Sequence, residues 1–471
     1  MPCASVRAVN FSYFPRSILT LSHHLLLKIR YCIPPQRCKV SKCRDEDCDD
    51  FLPWLENKAG VRISSLLAIG NSDYGRSLFA CKSIQAGDSL LKVPFVLQIS
   101  PDNVLPDIKP FLTDSVGAVA KLALVILVEQ KKGQKSEWAP YISRLPQHGE
   151  LHSTIFWSEN ELKMIQQSSL YQETIDQKAQ IKKEFLAIKP VFDRFPDIFE
   201  GVNFENFKHA YGLVASRAWE SMKGQSLIPF ADFLNHNGTS QSVLVSDEYR
   251  QLSEVIADRD YVPGEEVFIR YGRFPNSVLV LDFGFTVPNN MYDQVCIQVD
   301  IPYDDHLRAM KLDLLQKNCL PKLKDAYFSS SGGSFIMKEV RSARGKGKGI
   351  PQSLRAFARV LCSSSPQELN DLALEAVQQD GRLARRPLIN RSLEIQAHEI
   401  LLSQIDKLIA NNNMSIENLQ AVDAEFTNCR RFSIRRQMAQ DLLTGEVRVL
   451  RSASAWLTNY CQLVRSNRKQ L

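Results

Sequence analysis

Three side chains stand out for what they could do. Asn235 and His236 close the apolar string LIPFADFLNHN (227–237), and Tyr271 ends the apolar part of GEEVFIRYG (264–272). Singly, each has an ordinary explanation. An Asn-His step serves as a turn or helix-end pair, because Asn tolerates left-handed geometry and caps readily. A tyrosine at a strand end is usually an aromatic with its hydroxyl at the surface. In this order and at this spacing they combine an amide, an imidazole and a phenol, groups that bind and orient another molecule. Arg217, within ASRAWE (215–220), adds a charged fork suited to a carboxylate, although a helix salt bridge would explain it equally well. Asp232 reads as a structural cap.

The elements that must hold these residues follow from pattern. Order is expected to start at FLPWLENKAG, from residue 51. Residues 61–99 read as short strands, including Leu78–Cys81 and a second strand ending at Pro94, with a turn at Ala86-Gly87-Asp88. Residues 108–220 read mostly helical. In EWAPYISRLP (137–146), Trp138, Tyr141 and Leu145 share a face, and VAKLALVILV (119–128) reads as a buried helix. Strand signals return over 242–300. Residues 301–328 read helical, with Leu307, Met310, Leu314 and Leu315 on one stripe. The Gly, Ser, Lys and Arg stretch that follows, through RSARGKGKG (341–349), reads as a solvated loop.

From 351 the pattern is helical to near the end. Ser365-Pro-Gln-Glu368 reads as a capping box, followed by the stripe Leu369, Leu372, Ala373, Ala376 and Val377. A second stripe runs through Leu393, Ala397, Ile400, Leu401, Ile405 and Leu408.

Composition narrows the classes. The chain has 471 residues, enough for about two to three domains. It is 44% hydrophobic and 23% charged, as ordinary globular proteins are. No apolar run reaches the roughly 18 residues a spanning helix needs, so no membrane span is expected. The net charge of +6 belongs to the N-terminus: residues 1–44 hold eight Lys and Arg and no acid, which leaves 50 basic residues against 52 acidic ones. The body therefore has no electrostatic footprint for nucleic acid. The basic, Ser-containing segment 1–44 reads as an organelle transit peptide, the alternative being a basic tail. Cys32, Cys38, Cys43 and Cys48 lack a Cys-x-x-Cys pair, a poor zinc pattern, so no metal is expected.

Together YGRSLFA (74–80), EWAPYISRLP, ASRAWE, LIPFADFLNHN, EEVFIRYG (265–272) and VLDFGFTVPNN (280–290) resemble the plant SET-domain methyltransferases typified by the Rubisco large-subunit lysine methyltransferase. The resemblance runs over about residues 55–460, and PQSLRAFARVL (351–361) and GEVRVL (445–450) look like signatures of that family's C-terminal domain. It implies an α+β fold. A SET-domain β-fold with a pseudoknot would occupy 55–295, split by a helical insertion at about 108–220. An all-α substrate-binding domain would occupy 300–462.

It also implies S-adenosylmethionine as cofactor and a lysine side chain of a protein as substrate, such as Rubisco large subunit or fructose-bisphosphate aldolase. The compartment implied is the chloroplast, with the mitochondrion as alternative. Backbone groups at Leu78, Phe79 and Ala80 would contact the methyl donor. Arg217 would pair with its carboxylate, and Asn235 and His236 would bind its amino group and adenine. Tyr271 would be the catalytic hydroxyl near the transferring methyl. Phe283 would line the same site where the Rubisco enzyme has a second tyrosine, a change that bears on how many methyl groups are added.

Methyl transfer from a sulfonium needs a fixed donor, a neutral amine and exclusion of water. A dry channel disfavours the ammonium form of lysine, ordinarily titrating near 10.4, so no side-chain base is strictly required. One departure is that SDYGRS keeps Gly75 but lacks the family's usual second glycine. A histidine acceptor and a non-catalytic protein-binding module on the same fold are the other readings. The oligomeric state is not legible.

Overall fold

The computed structural model describes residues 48–221, 224–318, 326–328, 332–421 and 430–466. The segment 1–44, read above as a transit peptide, lies outside the described residues. The chain opens with helix α1 (Phe51–Ala59), which buries Phe51 and Leu55 and ends at Gly60. Strands β1 (Leu67–Ser72) and β2 (Gly75–Ala80) form an antiparallel hairpin, with Leu67 opposite Ala80. Strand β3 (Ser89–Pro94) then runs to the edge of a sheet completed much later by β7 (Leu244–Asp247) and β8 (Leu252–Ile256), in the order β3-β8-β7.

Between β3 and β7 lies the expected helical block. Helix α2 (Ala118–Lys132) buries every residue from Leu122 to Glu129, as its continuous apolar run requires. Trp138, Tyr141 and Leu145 are all buried. Helix α3 (Glu159–Lys163) starts in a capping box from Ser158 to Glu161. The long α4 (Ser169–Arg194) and α5 (Phe204–Arg217) follow, and α5 delivers Arg217 at its last position. A small hairpin of β4 (Trp219–Ser221) and β5 (Gly224–Ser226) leads into the LIPFADFLNHN string.

The two motif segments meet as a parallel pair. β6 (Asn235–His236) lies beside β9 (Phe268–Ile269), with Asn235 opposite Phe268 and His236 opposite Ile269. Just before β9, the backbone of 264–267 pairs with β2 through Ala80 N–H to Glu265 C=O (2.9 Å) and Val267 N–H to Leu78 C=O (2.9 Å). The single stretch 264–269 therefore ties β2 on one side to β6 on the other.

Beyond β10 (Gln294–Asp300) the expectation needs correction. Residues 301–328 are not one helix: α6 covers only Arg308–Asn318, and strands β11 (Ala326–Phe328) and β12 (Gly332–Lys338) follow. β12 pairs with β10 and β11, so the C-terminal region is not all-α but carries a three-stranded sheet beneath its helices. Alternation explains it, since Phe335 and Met337 point into the core between less buried Ser334 and Ile336. Met310 also departs from its predicted stripe: it is exposed while Leu307, Leu314 and Leu315 are buried.

From residue 352 the chain is helical: α7 (Gln352–Cys362), α8 (Pro366–Val377), α9 (Arg391–Ala421) and α10 (Arg430–Ser466). Ser365 caps α8 by accepting from Glu368 N–H, but the reciprocal half of the box is displaced, with Glu368 accepting from Ser364 N–H (2.6 Å). Val377 is exposed, unlike its stripe partners Leu369, Leu372 and Ala376. Among the described residues, no helix is long and apolar enough to cross a membrane.

Three apolar clusters hold the molecule. One spans Cys48 to Ile269 and a second spans Val295 to Leu457. A smaller third joins Trp157, Leu162 and Leu170 of the insertion and Val280 and Leu281 to Met438, Leu442 and Leu443 of α10. Polar contacts lie at the same junction. Arg448 on α10 donates to the Asp293 carboxylate (3.1 Å) and the Asn290 carbonyl (2.6 Å), and Glu446 accepts from the Ser168 hydroxyl (2.5 Å). Gly445 is required here, because a Cβ would come within 2.2 Å of the Asp293 carboxylate.

Candidate active site

The approach to the Asn-His pair is a tight turn. Asp232 N–H bonds to Ile228 C=O (3.1 Å) and Leu234 N–H to Ala231 C=O (3.1 Å). At its centre Phe230 is fully buried with φ 73°, a left-handed conformation that costs an aromatic residue on the order of 1–3 kcal/mol. The burial of its ring holds it there. The turn aims Asp232 inward and sends Asn235 and His236 out along β6.

Asp232 organises one side of the site. Its Oδ2 accepts from the Tyr141 hydroxyl at 2.8 Å and from Arg217 Nη1 at 3.2 Å, and its backbone carbonyl takes the same Nη1 at 3.1 Å. Burial, the largest influence, raises the Asp232 carboxyl above its ordinary range, and Arg217 and Tyr141 only partly offset it. The predicted cap is thus the anchor of an ion pair. Arg217 Nε, Asp232 Oδ1 and Trp219 Nε1 are buried with no hydrogen-bond partner among the described residues. Two unsatisfied N–H donors beside a guanidinium charge fit a carboxylate-bearing ligand.

The other side is aromatic. The Tyr271 hydroxyl donates to Leu234 C=O at 2.7 Å, and Tyr271 N–H donates to His236 Nδ1 at 3.0 Å. His236 Nδ1 is therefore an acceptor, which leaves the ring proton on Nε2. Burial first, and then the charge of Arg270, lower the His236 pKa to about 4, so the ring stays neutral at physiological pH. Asn235 Nδ2 donates to Glu266 at 3.1 Å. Burial pushes the Tyr271 phenol well above its ordinary value. It keeps its proton and is a fixed dipole rather than a base.

Around Tyr271 stand Trp219 (5.6 Å between ring centroids, edge-on), Phe283 (5.3 Å) and Phe285 (6.4 Å), with Phe274 against Phe283 at 5.7 Å. Phe283 is delivered by a short π-turn (Leu279–Phe283) that ends at Gly284, with φ 76°. A Cβ there would come within 2.6 Å of Ser153 N. The resulting apolar wall can exclude water from a side chain entering beside the Tyr271 hydroxyl.

The structure thus gathers Arg217, Asn235, His236, Tyr271 and Phe283. Leu78, Phe79 and Ala80 are tied to them through the 264–269 stretch. The amide and carbonyl of Ala80 and the carbonyl of Leu78 are bonded into that stretch, with Gly264 N–H on Ala80 C=O at 2.8 Å, so these groups build a wall first. Ser77 is fully buried with an unpartnered hydroxyl. Sequence reading did not single out Trp219, Phe274 or Phe285 for the site. The available signal was that Trp219 lies within ASRAWE, Phe285 within VLDFGFTVPNN, and Phe274 just after EEVFIRYG.

The sequence model described as the SET domain matches residues 75–272, and the one described as Rubisco LSMT substrate-binding matches residues 302–450. The chain thus carries a SET domain followed by a Rubisco LSMT substrate-binding domain. Among relatives of this SET-domain chain, the chloroplastic [fructose-bisphosphate aldolase]-lysine N-methyltransferase of Arabidopsis thaliana is 29% identical over 286 residues, covering 58% of this chain and 59% of the relative. The chloroplastic Rubisco large-subunit N-methyltransferase of Pisum sativum is also 29% identical, over 57% of each chain. The alignments thus span less than two thirds of these relatives' length. The actin-histidine N-methyltransferase of Rhinolophus ferrumequinum is 24% identical over 433 residues, covering 87% of this chain and 68% of that one. The structure of Rubisco LSMT bound to AdoMet superposes with a TM-score of 0.70 at 23% identity, over 90% of this chain and 94% of that chain, which establishes the fold.

Proposed function

We propose that this SET-domain chain is an S-adenosylmethionine-dependent protein-lysine N-methyltransferase, with Tyr271 as its catalytic residue. The observation that carries the reading is the parallel pairing of β6 with β9, which sets the Tyr271 hydroxyl against the Leu234 carbonyl inside an aromatic wall. S-adenosylmethionine, when bound, supplies an electrophilic methyl group on a sulfonium. Arg217 and Trp219 would hold its carboxylate, and Asn235 and His236 its amino group and adenine, with the strand Leu78–Ala80 as the wall behind them. Phe283 and its neighbours keep water from the acceptor amine, which favours its neutral form. The Tyr271 hydroxyl orients the groups that react.

The substrate proposed is an abundant plastid protein such as Rubisco large subunit or fructose-bisphosphate aldolase, after the named plant relatives. The compartment proposed is the chloroplast, with residues 1–44 as the transit peptide. A histidine acceptor is the second reading, favoured by the longer span shared with the actin-histidine enzyme. Incubating the protein with tritium-labelled donor and a plastid extract tests both. Label on a lysine supports the first reading and label on a histidine supports the second. Absence of transfer by a protein that binds the donor would reduce the chain to a binding module.

A further inference from the structure

A depression of about 470 Å³ opens where the insertion meets the first turn of α10, and none of its lining residues belongs to the site described above. Trp157 and Ile181 form its buried floor, and Phe156 and Phe204 stand at its wall. Lys178, Lys182, Lys208 and Arg431 also line it, with Glu161 as the carboxylate among them.

That carboxylate is already engaged: Glu161 accepts from Ser158 N–H at 2.7 Å and from Arg435 at 2.9 Å. Lys208 pairs with Glu205 (2.6 Å), and its ammonium lies over the Phe156 ring (5.8 Å to the centroid) and the Phe204 ring (5.6 Å). Counting Glu159 in the first turn of α3, three carboxylates face five cations: Lys178, Lys182, Lys208, Arg431 and Arg435. Lys178 is half-buried. Its ammonium donates to Trp157 C=O at 2.7 Å, which uses one of three N–H bonds. Burial, then repulsion from Lys208 and Arg435, lowers its pKa. Cations held together in a partly dry hollow repel one another, and an anion among them would relieve that repulsion and complete their hydrogen bonds. The volume falls within the roughly 300–1,000 Å³ usual for small-ligand sites, and the two phenylalanines, each with Lys208 over its ring, add apolar surface for the body of a ligand.

We propose that this depression binds a small organic phosphate monoester, its phosphate among Lys178, Lys182 and Arg431 and its body against Phe156 and Phe204. The inference does not depend on methyl transfer. The test is calorimetric titration of the full chain at low salt with phenyl phosphate and with phenol, with and without saturating S-adenosylhomocysteine. Phenyl phosphate should bind at least tenfold more tightly than phenol, with an affinity that S-adenosylhomocysteine leaves unchanged and that added salt weakens. Lys178→Met should weaken it at least fivefold. Lys182→Glu, at an exposed position whose change leaves the fold intact, should do the same. Equal binding of the two probes, no binding of phenyl phosphate, its displacement by S-adenosylhomocysteine, or unchanged affinity in Lys182→Glu would each overturn the proposal. None of these readouts involves transfer, so its failure is separable from failure of the methyltransferase reading.

Discussion

Two buried carboxylates, each paired with arginine and tyrosine, have opposite fates. In the C-terminal region Glu394 accepts from Arg359 (2.7 Å) and from the Tyr460 hydroxyl (2.6 Å). Its other oxygen faces Leu388 N–H at 3.4 Å, and the Arg359 fork also reaches the Leu383 carbonyl. Burial is the largest influence on Glu394 and pushes its pKa up, yet Arg359 and His398 outweigh it and the carboxyl ends below its ordinary value. Asp232 has one arginine and one tyrosine, keeps an oxygen without a partner, and ends above its ordinary value. A carboxylate with both oxygens engaged serves packing. Arg217 and Arg359 each keep a buried Nε without a partner, so the difference lies in the carboxylates: of the two, Asp232 leaves an oxygen open, where another molecule can be received.

The same isosteric change in both regions tests that contrast. Glu394→Gln should be the more damaging, costing about 3–5 kcal/mol in urea unfolding, because it leaves Arg359 buried without a counter-charge. A loss under about 1 kcal/mol would mean the C-terminal network is ornamental. Next in size, Tyr271→Phe should keep the fold and the donor affinity, lose about 1 kcal/mol of stability with the Leu234 hydrogen bond, and slow transfer on the order of 10²-fold, about 2.7 kcal/mol. Turnover near the native rate would make Tyr271 a packing aromatic. Asp232→Asn should cost only about 1–2 kcal/mol of stability but weaken donor binding roughly tenfold by loosening Arg217. A stability loss equal to that of Glu394→Gln, with affinity intact, would erase the distinction between the two pairs. The smallest effect is expected at Phe283→Tyr. A hydroxyl beside the acceptor nitrogen should shift products toward fewer methyl groups through about 1 kcal/mol of new hydrogen bonding. Identical mono-, di- and trimethyl distributions by intact mass would show that position 283 does not govern multiplicity.

The contrast between the two carboxylates cannot be read from the sequence, but much of the candidate site can, and the reasons differ by residue. Asn235, His236 and Tyr271 are legible because two unusual strings fix their order, and β6 and β9 pair just where those strings lie. The buried face of Trp138, Tyr141 and Leu145 is legible because helical periodicity is local. Asp232 reads as a cap because its partners, Tyr141 and Arg217, are 91 and 15 residues away. Trp219, Phe274 and Phe285 become a wall only once three separate segments converge. Strand β12 is hidden for the same reason. Its GGSFIMK string follows a Ser/Gly run that reads as a loop, and only pairing with β10, Phe335 opposite Ile297, gives it a pleat to fill.

The junction between insertion and α10 has a consequence of its own. Burial, reinforced by Asp293 and Glu173, raises the pKa of Glu446 to about 8, despite the Ser168 hydroxyl that bonds it. From its ordinary 4.5 up to about 8, the folded chain holds a proton on Glu446 that the unfolded chain has released. The folded form binds more protons across that window, so its stability falls as pH rises through it. The junction is thus a proton-binding site coupled to folding, sharing its last apolar layer with Leu442 and Leu443. Glu446→Gln, which keeps an acceptor for Ser168, should flatten that slope. At pH 8 it should raise stability on the order of 1–3 kcal/mol, with little change at pH 5. Parallel melting curves for the two proteins from pH 5 to 9 would show that Glu446 is ionised in the folded chain throughout.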